Sequence, residues 1–205
     1  MSRKIVYLLR HGEITQRTPR RFVGQSELSL TENGMEQMRR AGEWLAQKGI
    51  KAVYASPLGR TMGSAACVNE FLGLNCTPVL ELKEINLGAW ENLSVDEVRA
   101  AYPGEYEQRG KNIARYRPLD GESFADVQQR AVQALEEVVE RAPTGASIAV
   151  IAHGGVNRTV LCHLLGMPLE NLFRLEQDYG CINILESGSA VPDNVWSVRL
   201  MNFRP

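Results

Sequence analysis

The sequence has little excess charge of either sign and lacks long apolar runs. Its 23 Lys and Arg residues nearly balance 24 Asp and Glu residues, for a formal net charge of -1, whereas nucleic-acid-binding domains are typically basic. No stretch approaches the ~20 consecutive apolar residues of a membrane span, and the N-terminal residues lack the apolar core of a signal peptide. We therefore expect a cytoplasmic protein that binds neither nucleic acid nor membranes, and any anion-binding site must be local.

Cysteine is also scarce. Cys67, Cys76, Cys162 and Cys181 form no C-x-x-C pair and have no histidines at a matching spacing, so neither a zinc site nor a redox motif is indicated. Reduced thiols packed in the interior are the simplest interpretation. The 205 residues suit a single domain, 1–205, that can bury a substantial core. The oligomeric state is left open, a homodimer included.

Two apolar segments of the sequence end at a histidine. Residues 5–9, Ile-Val-Tyr-Leu-Leu, suit a strand buried on both faces of a parallel sheet, and Arg10 and His11 follow directly. Residues 147–152 repeat the pattern and lead into His153. Ligands of open α/β sheets bind in the crevice outside the carboxyl ends of the strands. If the two strands are neighbours, both imidazoles and the guanidinium converge on one point at the sheet edge.

Two more charged residues follow predicted strands. Arg60 lies in the first turn of a predicted helix that follows the strand at 52–55, and a cation at this end of a helix dipole is unfavourable unless an anion compensates it. Glu84 follows a third predicted strand at 76–82, where a carboxylate is able to protonate a leaving alkoxide. Backbone N–H groups at Gly154 and its neighbour begin another helix and suit an anion.

Long polar segments follow the first and third strands. Residues 14–30 form a predicted loop that leaves from the expected crevice, and loops of this length are often functional. We expect Arg17, Arg21 and Gly24 of this loop to bind phosphate or substrate, since arginine suits bidentate contacts with phosphoryl oxygens. Residues 94–120 are weakly periodic and are predicted to form a small helical cap over the crevice, beginning with a capping box at Ser94.

Helical and strand patterns alternate along most of the chain. Thr31 is the expected cap of one helix, a second helix covers about 58–73, and Ser123 with Asp126 forms the capping box of a third. Strand, short loop and helix in succession make parallel crossover units. Late strands at 181–185 and 196–201 are joined by a turn over 188–194. The fold class is therefore α/β with a parallel sheet.

A shared pocket of these residues would suit phosphoryl transfer to a histidine nitrogen. Nearby cations disfavour protonation of an imidazole, which would keep His11 neutral and nucleophilic near neutral pH. Arg10, Arg60 and His153 would hold the phosphoryl charge, and Glu84 would protonate the departing alcohol and then activate water. The carboxylates near these strand ends form no evident magnesium pair, so we expect neither a metal nor a cofactor.

Four segments containing these residues stand in a fixed order across the whole chain. Together they resemble the signature of the histidine phosphatase superfamily, also called phosphoglycerate mutase-like proteins. The segments are Leu9-Arg10-His11-Gly12-Glu13, Ser56-Pro-Leu-Gly-Arg60, Leu82-Lys-Glu84 with Gly88-Ala-Trp90-Glu91, and His153-Gly-Gly155.

The resemblance implies a three-layer α/β sandwich, with a mostly parallel central sheet, helices on both faces and a small cap. It also implies a phosphohistidine intermediate on His11. The compact cap is most similar to that of small-molecule phosphatases, including those that act on α-ribazole phosphate. Ile14 and Arg17 depart from the signature, which typically has threonine and asparagine there, so Arg17 would either replace a phosphate anchor by charge or select an acidic substrate.

Alternative functions remain at the level of sequence. A cofactor-dependent phosphoglycerate mutase would return the phosphoryl group to the substrate instead of passing it to water. A non-catalytic protein that binds a small phosphorylated metabolite would have no need of an acid such as Glu84. A zinc deaminase based on His11-Gly-Glu13 is disfavoured because no Pro-Cys-x-x-Cys partner is present.

Overall fold

The computed structural model describes residues 3–15, 18–188 and 196–205. Six strands and six α-helices are described, with three short 3₁₀ helices between them. The strands are β1 (Lys4–Arg10), β2 (Ile50–Ala55), β3 (Cys76–Pro78), β4 (Ser147–Ala152), β5 (Ile182–Ser187) and β6 (Ser197–Phe203). The helices are α1 (Glu32–Ala46), α2 (Gly59–Leu72), α3 (Val95–Ala101), α4 (Glu105–Lys111), α5 (Phe124–Arg141) and α6 (Gly154–Leu164).

The strands form one sheet in the order β3-β2-β4-β1-β5-β6. The first four strands are parallel, whereas β5 is antiparallel to both of its neighbours. Strands β1 and β4 lie side by side, with Arg10 opposite Ala152. Because neighbouring parallel strands end at the same sheet edge, the residues that follow Arg10 and Ala152 are close in space.

Helices cover both faces of the sheet because the side chains of each strand alternate. Val6 and Leu8 of β1 belong to a core shared with α5 and α6. Tyr7 and Leu9 point to the opposite face and belong to a core shared with α1 and α2. The predicted three-layer α/β sandwich with a mostly parallel sheet is therefore confirmed.

Side-chain caps fix the starts of three helices as expected. The Thr31 hydroxyl accepts a hydrogen bond from the backbone N–H of Gly34 at the start of α1. Ser94 and Ser123 each form a complete capping box, with Glu97 and with Asp126 respectively. Substitution of such a cap by alanine typically costs about 1 kcal/mol, so these residues stabilise the boundaries of the cap and of α5.

The third strand is shorter than the predicted 76–82. It ends at Pro78, which has no N–H for a further ladder bond, and the last bond on this side runs from the Val79 N–H to the Ala55 carbonyl at 2.8 Å. The chain then turns into a 3₁₀ helix, Leu80–Leu82. The prediction of a strand reaching Leu82 was therefore wrong, although Glu84 still follows this edge of the sheet.

The predicted cap at 94–120 contains the short helices α3 and α4. Its anchor is Trp90, which is fully buried and lies 5.4 Å from the ring of Phe22 and 5.6 Å from that of Tyr116, measured between centroids.

The turn predicted at 188–194 falls almost entirely in residues 189–195, outside the described residues. No helix among those described is long and apolar enough to cross a membrane. That residues 1–205 form a single domain stays a prediction.

Candidate active site

The carboxyl ends of β1 and β4 open into a cleft of about 420 Å³. Four of the five predicted catalytic residues line it, namely Arg10, His11, Arg60 and Glu84. His153 lies directly behind, with its ring centroid 5.2 Å from that of His11. The structure thus brings together residues that are separated by up to 143 positions in the sequence.

His11 is buried and has a defined tautomer. Its Nδ1 lies 2.8 Å from the carbonyl oxygen of Gly12, and since a carbonyl only accepts, Nδ1 carries the proton. Nε2 therefore keeps a free lone pair in the neutral ring. Burial, followed by the charges of Arg10 and Arg60, holds the pKa of His11 well below its usual value. These contacts and charges favour a neutral His11 imidazole whose free lone pair lies on Nε2.

His153 is completely buried between two polar partners. Its Nδ1 accepts a hydrogen bond from Nε of Arg60 at 3.3 Å, and its Nε2 lies 2.8 Å from the Ser56 hydroxyl. Because Nδ1 accepts, Nε2 carries the proton and donates to Ser56. Burial is the largest cause that lowers the pKa of His153, followed by the charge of Arg60. The second histidine is therefore also neutral.

Arg60 lies in the first turn of α2 and is almost fully buried, whereas most arginines extend into solvent. Its two Nη groups donate to the carbonyl oxygens of Ser26 and Gly24 at 2.8 and 2.7 Å. Burial lowers the pKa of Arg60, and the negative charge of Glu84 is the first of the groups that oppose this shift. The guanidinium links the loop at 24–26 to His153, which lies behind the cleft.

Arg10 stacks on an aromatic ring and has an unused donor. The centre of its guanidinium lies 3.8 Å from the ring centroid of Tyr179, and Nη1 donates to the carbonyl of Gln177 at 2.5 Å. Its Nε is buried and has no hydrogen-bond partner among the described residues. A buried donor without a partner is costly, and a phosphoryl oxygen in the cleft would satisfy it.

Glu84 is held by backbone groups on both oxygens. Oε2 accepts from the N–H of Gly155 and Oε1 from the N–H of Ile85, each at 3.0 Å. A Cβ atom on Gly155 would collide with the carboxylate, so only glycine allows this approach. Arg130 donates to the carbonyls of Lys83 and Glu84 at 2.7 and 3.2 Å and fixes the segment that presents the carboxylate.

Comparison with known proteins identifies the family. A sequence model described as histidine phosphatase superfamily (branch 1) matches residues 6–202. This chain belongs to that superfamily. It is 32% identical over 163 residues to a probable phosphoglycerate mutase, GpmB, of Yersinia pestis, which covers 80% of this chain and 75% of that protein.

Two solved structures show the same fold as this histidine phosphatase chain. Bacillus stearothermophilus YhfR is 30% identical, with a TM-score of 0.85 over 96% of both chains. The α-ribazole phosphatase from Shigella flexneri is 24% identical, with a TM-score of 0.86 over 98% of this chain and 96% of the other. The predicted membership of the superfamily is therefore confirmed, and its members act as phosphatases or mutases through a phosphohistidine.

The predicted substrate-binding residues fall into different environments. Gly24 lines the cleft with φ +49°, and its carbonyl is the one that Arg60 binds. Gly154 also lines the cleft, where a Cβ would lie 3.3 Å from Nε of Arg10. Arg21 lines the cleft, but its guanidinium pairs with Glu97 of the cap at 2.6 Å. Arg17 lies outside the described residues, so its role, like that of Arg21, stays a prediction.

Several residues in or next to the cleft were not predicted as site residues from the sequence. Ser56 directly follows β2, so the rule that identified Arg10 and His153 would also have found it. Arg109, Arg158 and Tyr179 line the cleft from α4, α6 and the segment before β5, and no strand end marks their positions in the sequence. Among the described residues, no group of three or more His, Cys, Asp or Glu side chains could hold a metal ion.

The buried neutral histidines predict an acid-sensitive fold. In the unfolded chain each titrates with a pKa of about 6.5, whereas both pKa values are well below this in the folded state. Below pH ~6.5 the unfolded state therefore binds more protons, and each such group lowers the free energy of unfolding by up to about 1.4 kcal/mol per pH unit. The contribution of the two neutral histidines to the free energy of unfolding is fully present above pH ~6.5. It decreases as the pH falls from there towards the pKa values of the folded state.

Urea unfolding at a series of pH values measures this effect. We expect a shallower decrease of the unfolding free energy below pH ~6.5 in His11→Ala than in the wild type, because one of the two groups is gone. His163→Ala, at an exposed position of α6, is the matched control substitution. Equal slopes for the wild type and His11→Ala would show that His11 is not held neutral.

Proposed function

We propose that the protein is a metal-independent phosphomonoesterase that transfers a phosphoryl group from a small phosphorylated metabolite to His11 and then to water. The observation that carries the proposal is the tautomer of His11. Its Nδ1–H bonds to the Gly12 carbonyl, so the lone pair of Nε2 belongs to a neutral ring at the cleft floor. The cations of Arg10 and Arg60, which favour that neutral form, are also the groups that a phosphoryl anion requires.

In the first step, Nε2 of His11 attacks phosphorus and forms the P–N bond while the ester P–O bond breaks. Arg10 and Arg60 stabilise the non-bridging oxygens, and the unused Nε donor of Arg10 gains a partner. The leaving oxygen takes a proton from the carboxyl group of Glu84 and departs as an alcohol, and Glu84 is left as a carboxylate. In-line positioning and charge stabilisation supply most of the rate enhancement of such transfers.

In the second step, water attacks the phosphohistidine. The carboxylate of Glu84 accepts a proton from this water as the new P–O bond forms and the P–N bond breaks. Inorganic phosphate leaves, His11 returns to its neutral form, and Glu84 is again protonated. Each Glu84 oxygen accepts one backbone N–H in the structure and keeps a second lone pair for the proton in transit.

A phosphoglycerate mutase is the second candidate, because a 32% identical relative carries that name. It would use the same phosphohistidine and differ only in the acceptor of the second step. The described cap is compact, with two helices of seven residues each, which supports release to water. α-Ribazole phosphate is one candidate substrate.

Direct assay of the two products separates these functions. With a panel of phosphorylated metabolites that includes α-ribazole phosphate and 3-phosphoglycerate, we expect release of inorganic phosphate, no formation of 2-phosphoglycerate, and full activity in EDTA. Isomerisation without phosphate release would establish the mutase. Activity lost in EDTA and restored by a divalent ion would contradict the metal-independent mechanism. Binding without either reaction would leave a non-catalytic phosphate-binding protein.

A further inference from the structure

The cleft carries more positive charge than a single phosphoryl group requires. In the described part of the chain, Glu84 is the only carboxylate that lines it. Arg10 and Arg60 lie at its floor, and Arg21 is already paired with Glu97. The remaining cations of the lining, Arg20, Arg109 and Arg158, are neither at the floor nor paired with Glu97. Among the residues that the structure describes, the arginines that line it are Arg10, Arg20, Arg21, Arg60, Arg109 and Arg158.

Arg109 of α4 is the outer cation with the most unusual environment. Its guanidinium carbon lies 5.9 Å from the ring centroid of Phe22 and 5.6 Å from that of Phe124, and both rings also line the cleft. Burial lowers the pKa of Arg109, and the groups that oppose this shift are tyrosines, which are neutral at pH 7. The side chain is therefore a half-desolvated cation between two apolar rings.

Among the described residues, no counter-ion compensates this charge. None of the hydrogen bonds or ion pairs formed by the described residues includes the Arg109 guanidinium. Neighbouring arginines differ in this respect, since Arg99 of α3 pairs with Glu107 at 2.9 Å and Arg117 pairs with Asp126 at 2.5 Å. A partly buried cation without a partner is unfavourable, and an anion entering the cleft would relieve that cost.

We propose that Arg109 binds a second anionic group of the substrate, a carboxylate or a phosphate, at the end remote from the transferred phosphoryl group. The inference rests on the proposed function, because it assigns the phosphoryl group itself to the floor of the cleft. Phe22 and Phe124 flank the guanidinium and limit its access to water, which strengthens its interaction with an anion. Exposed Arg20 at the rim adds charge of the same sign.

A purely structural role for Arg109 makes a different prediction. Stacking on Phe22 and Phe124 would hold the cap against α5, and its loss would lower stability or slow all substrates alike. Only a binding role predicts a loss confined to substrates with a second charge, since a site built to pair with a charged group discriminates against analogues that lack it.

The test uses matched substrates and matched variants. The substrates are ω-carboxyalkyl phosphates of increasing chain length, the corresponding ω-hydroxyalkyl phosphates, and the corresponding alkane bisphosphates. For the wild type we expect the kcat/KM ratio of anionic to hydroxyl substrate to exceed one at a favoured chain length. Arg109→Met should reduce this ratio about 10- to 100-fold, and Arg109→Lys should restore part of it. The carboxylate and bisphosphate series show which anion the site prefers.

Arg99→Met is the matched control, because Arg99 also belongs to the cap and also lies over an aromatic ring, Tyr106, but does not line the cleft. We expect it to keep the wild-type ratio. A wild-type ratio of one at every chain length, or an unchanged ratio in folded Arg109→Met, would overturn the inference.

Calorimetric binding in the His11→Ala background separates this inference from the proposed function. The carboxyalkyl phosphates should bind more tightly than the hydroxyalkyl phosphates, and adding Arg109→Met should remove the difference. This result would hold even if the wild type released no phosphate, in which case the proposed function alone would fail. Phosphate release with equal binding of the two series would instead reject only the role of Arg109.

Discussion

Replacement of His11 by alanine should lower kcat by on the order of 10⁴- to 10⁶-fold, the range found when a covalent catalyst loses its nucleophile. The side chain provides the only neutral nitrogen at the cleft floor whose tautomer leaves a lone pair free, because Nδ1 is committed to Gly12 and both ring nitrogens of His153 are engaged within the described residues. The variant should also form no phosphoenzyme, since no P–N bond can be made.

Rapid acid-free quenching after mixing with a radiolabelled substrate measures the phosphoenzyme directly. A label that is stable in alkali and lost in acid is expected for the wild type, because the P–N bond of phosphohistidine is acid-labile. His163→Ala is the matched control, as this third histidine is exposed on α6 and outside the cleft, and it should retain both turnover and labelling. Labelling that survives in His11→Ala would assign the nucleophile to another residue.

The parts of the fold that were predictable follow from local patterns. The apolar run that ends at Arg10 and the one that ends at His153 are short, unbroken and flanked by polar residues, and this suffices to predict buried parallel strands. The helix starts at Thr31 and Ser123 were predictable because a cap depends on residues only three positions apart. The third strand was extended too far because apolar residues continue past Pro78, at Val79, Leu80 and Leu82, whereas the ladder ends there.

The unpredicted parts of the site depend on pairs that are distant in sequence. Arg130 holds the carbonyls of the Glu84 segment from 46 and 47 positions away, and no periodicity encodes that contact. The pairing of Arg21 with Glu97 joins the loop that follows β1 to the cap across 76 positions. Strand ends indicate where the site residues lie. Which arginine pairs with another residue of the protein, and which remains available to a ligand, is decided by the packing of the cap.

Replacement of Glu84 by alanine should slow alkyl phosphates by about 10²- to 10⁴-fold, the usual contribution of a general acid. p-Nitrophenyl phosphate should lose much less, because p-nitrophenolate is a stable anion near neutral pH and leaves without a proton. The carboxylate is well placed for this role, since Gly155 and Ile85 fix both of its oxygens at the wall of the cleft. The measurement is kcat/KM over a series of phosphate esters whose leaving groups differ in basicity.

The slope of that series is more informative than any single rate. With Glu84 present, protonation cancels the developing charge on the leaving oxygen, so the rate should depend weakly on leaving-group basicity; in Glu84→Ala the dependence should become steep. Glu81→Ala is the matched control, because Glu81 is an exposed carboxylate three residues away that does not line the cleft, and it should keep the shallow slope. Equal losses across the series would mean that the proton comes from elsewhere, and would reduce Glu84 to a residue that anchors Gly155 at the start of α6.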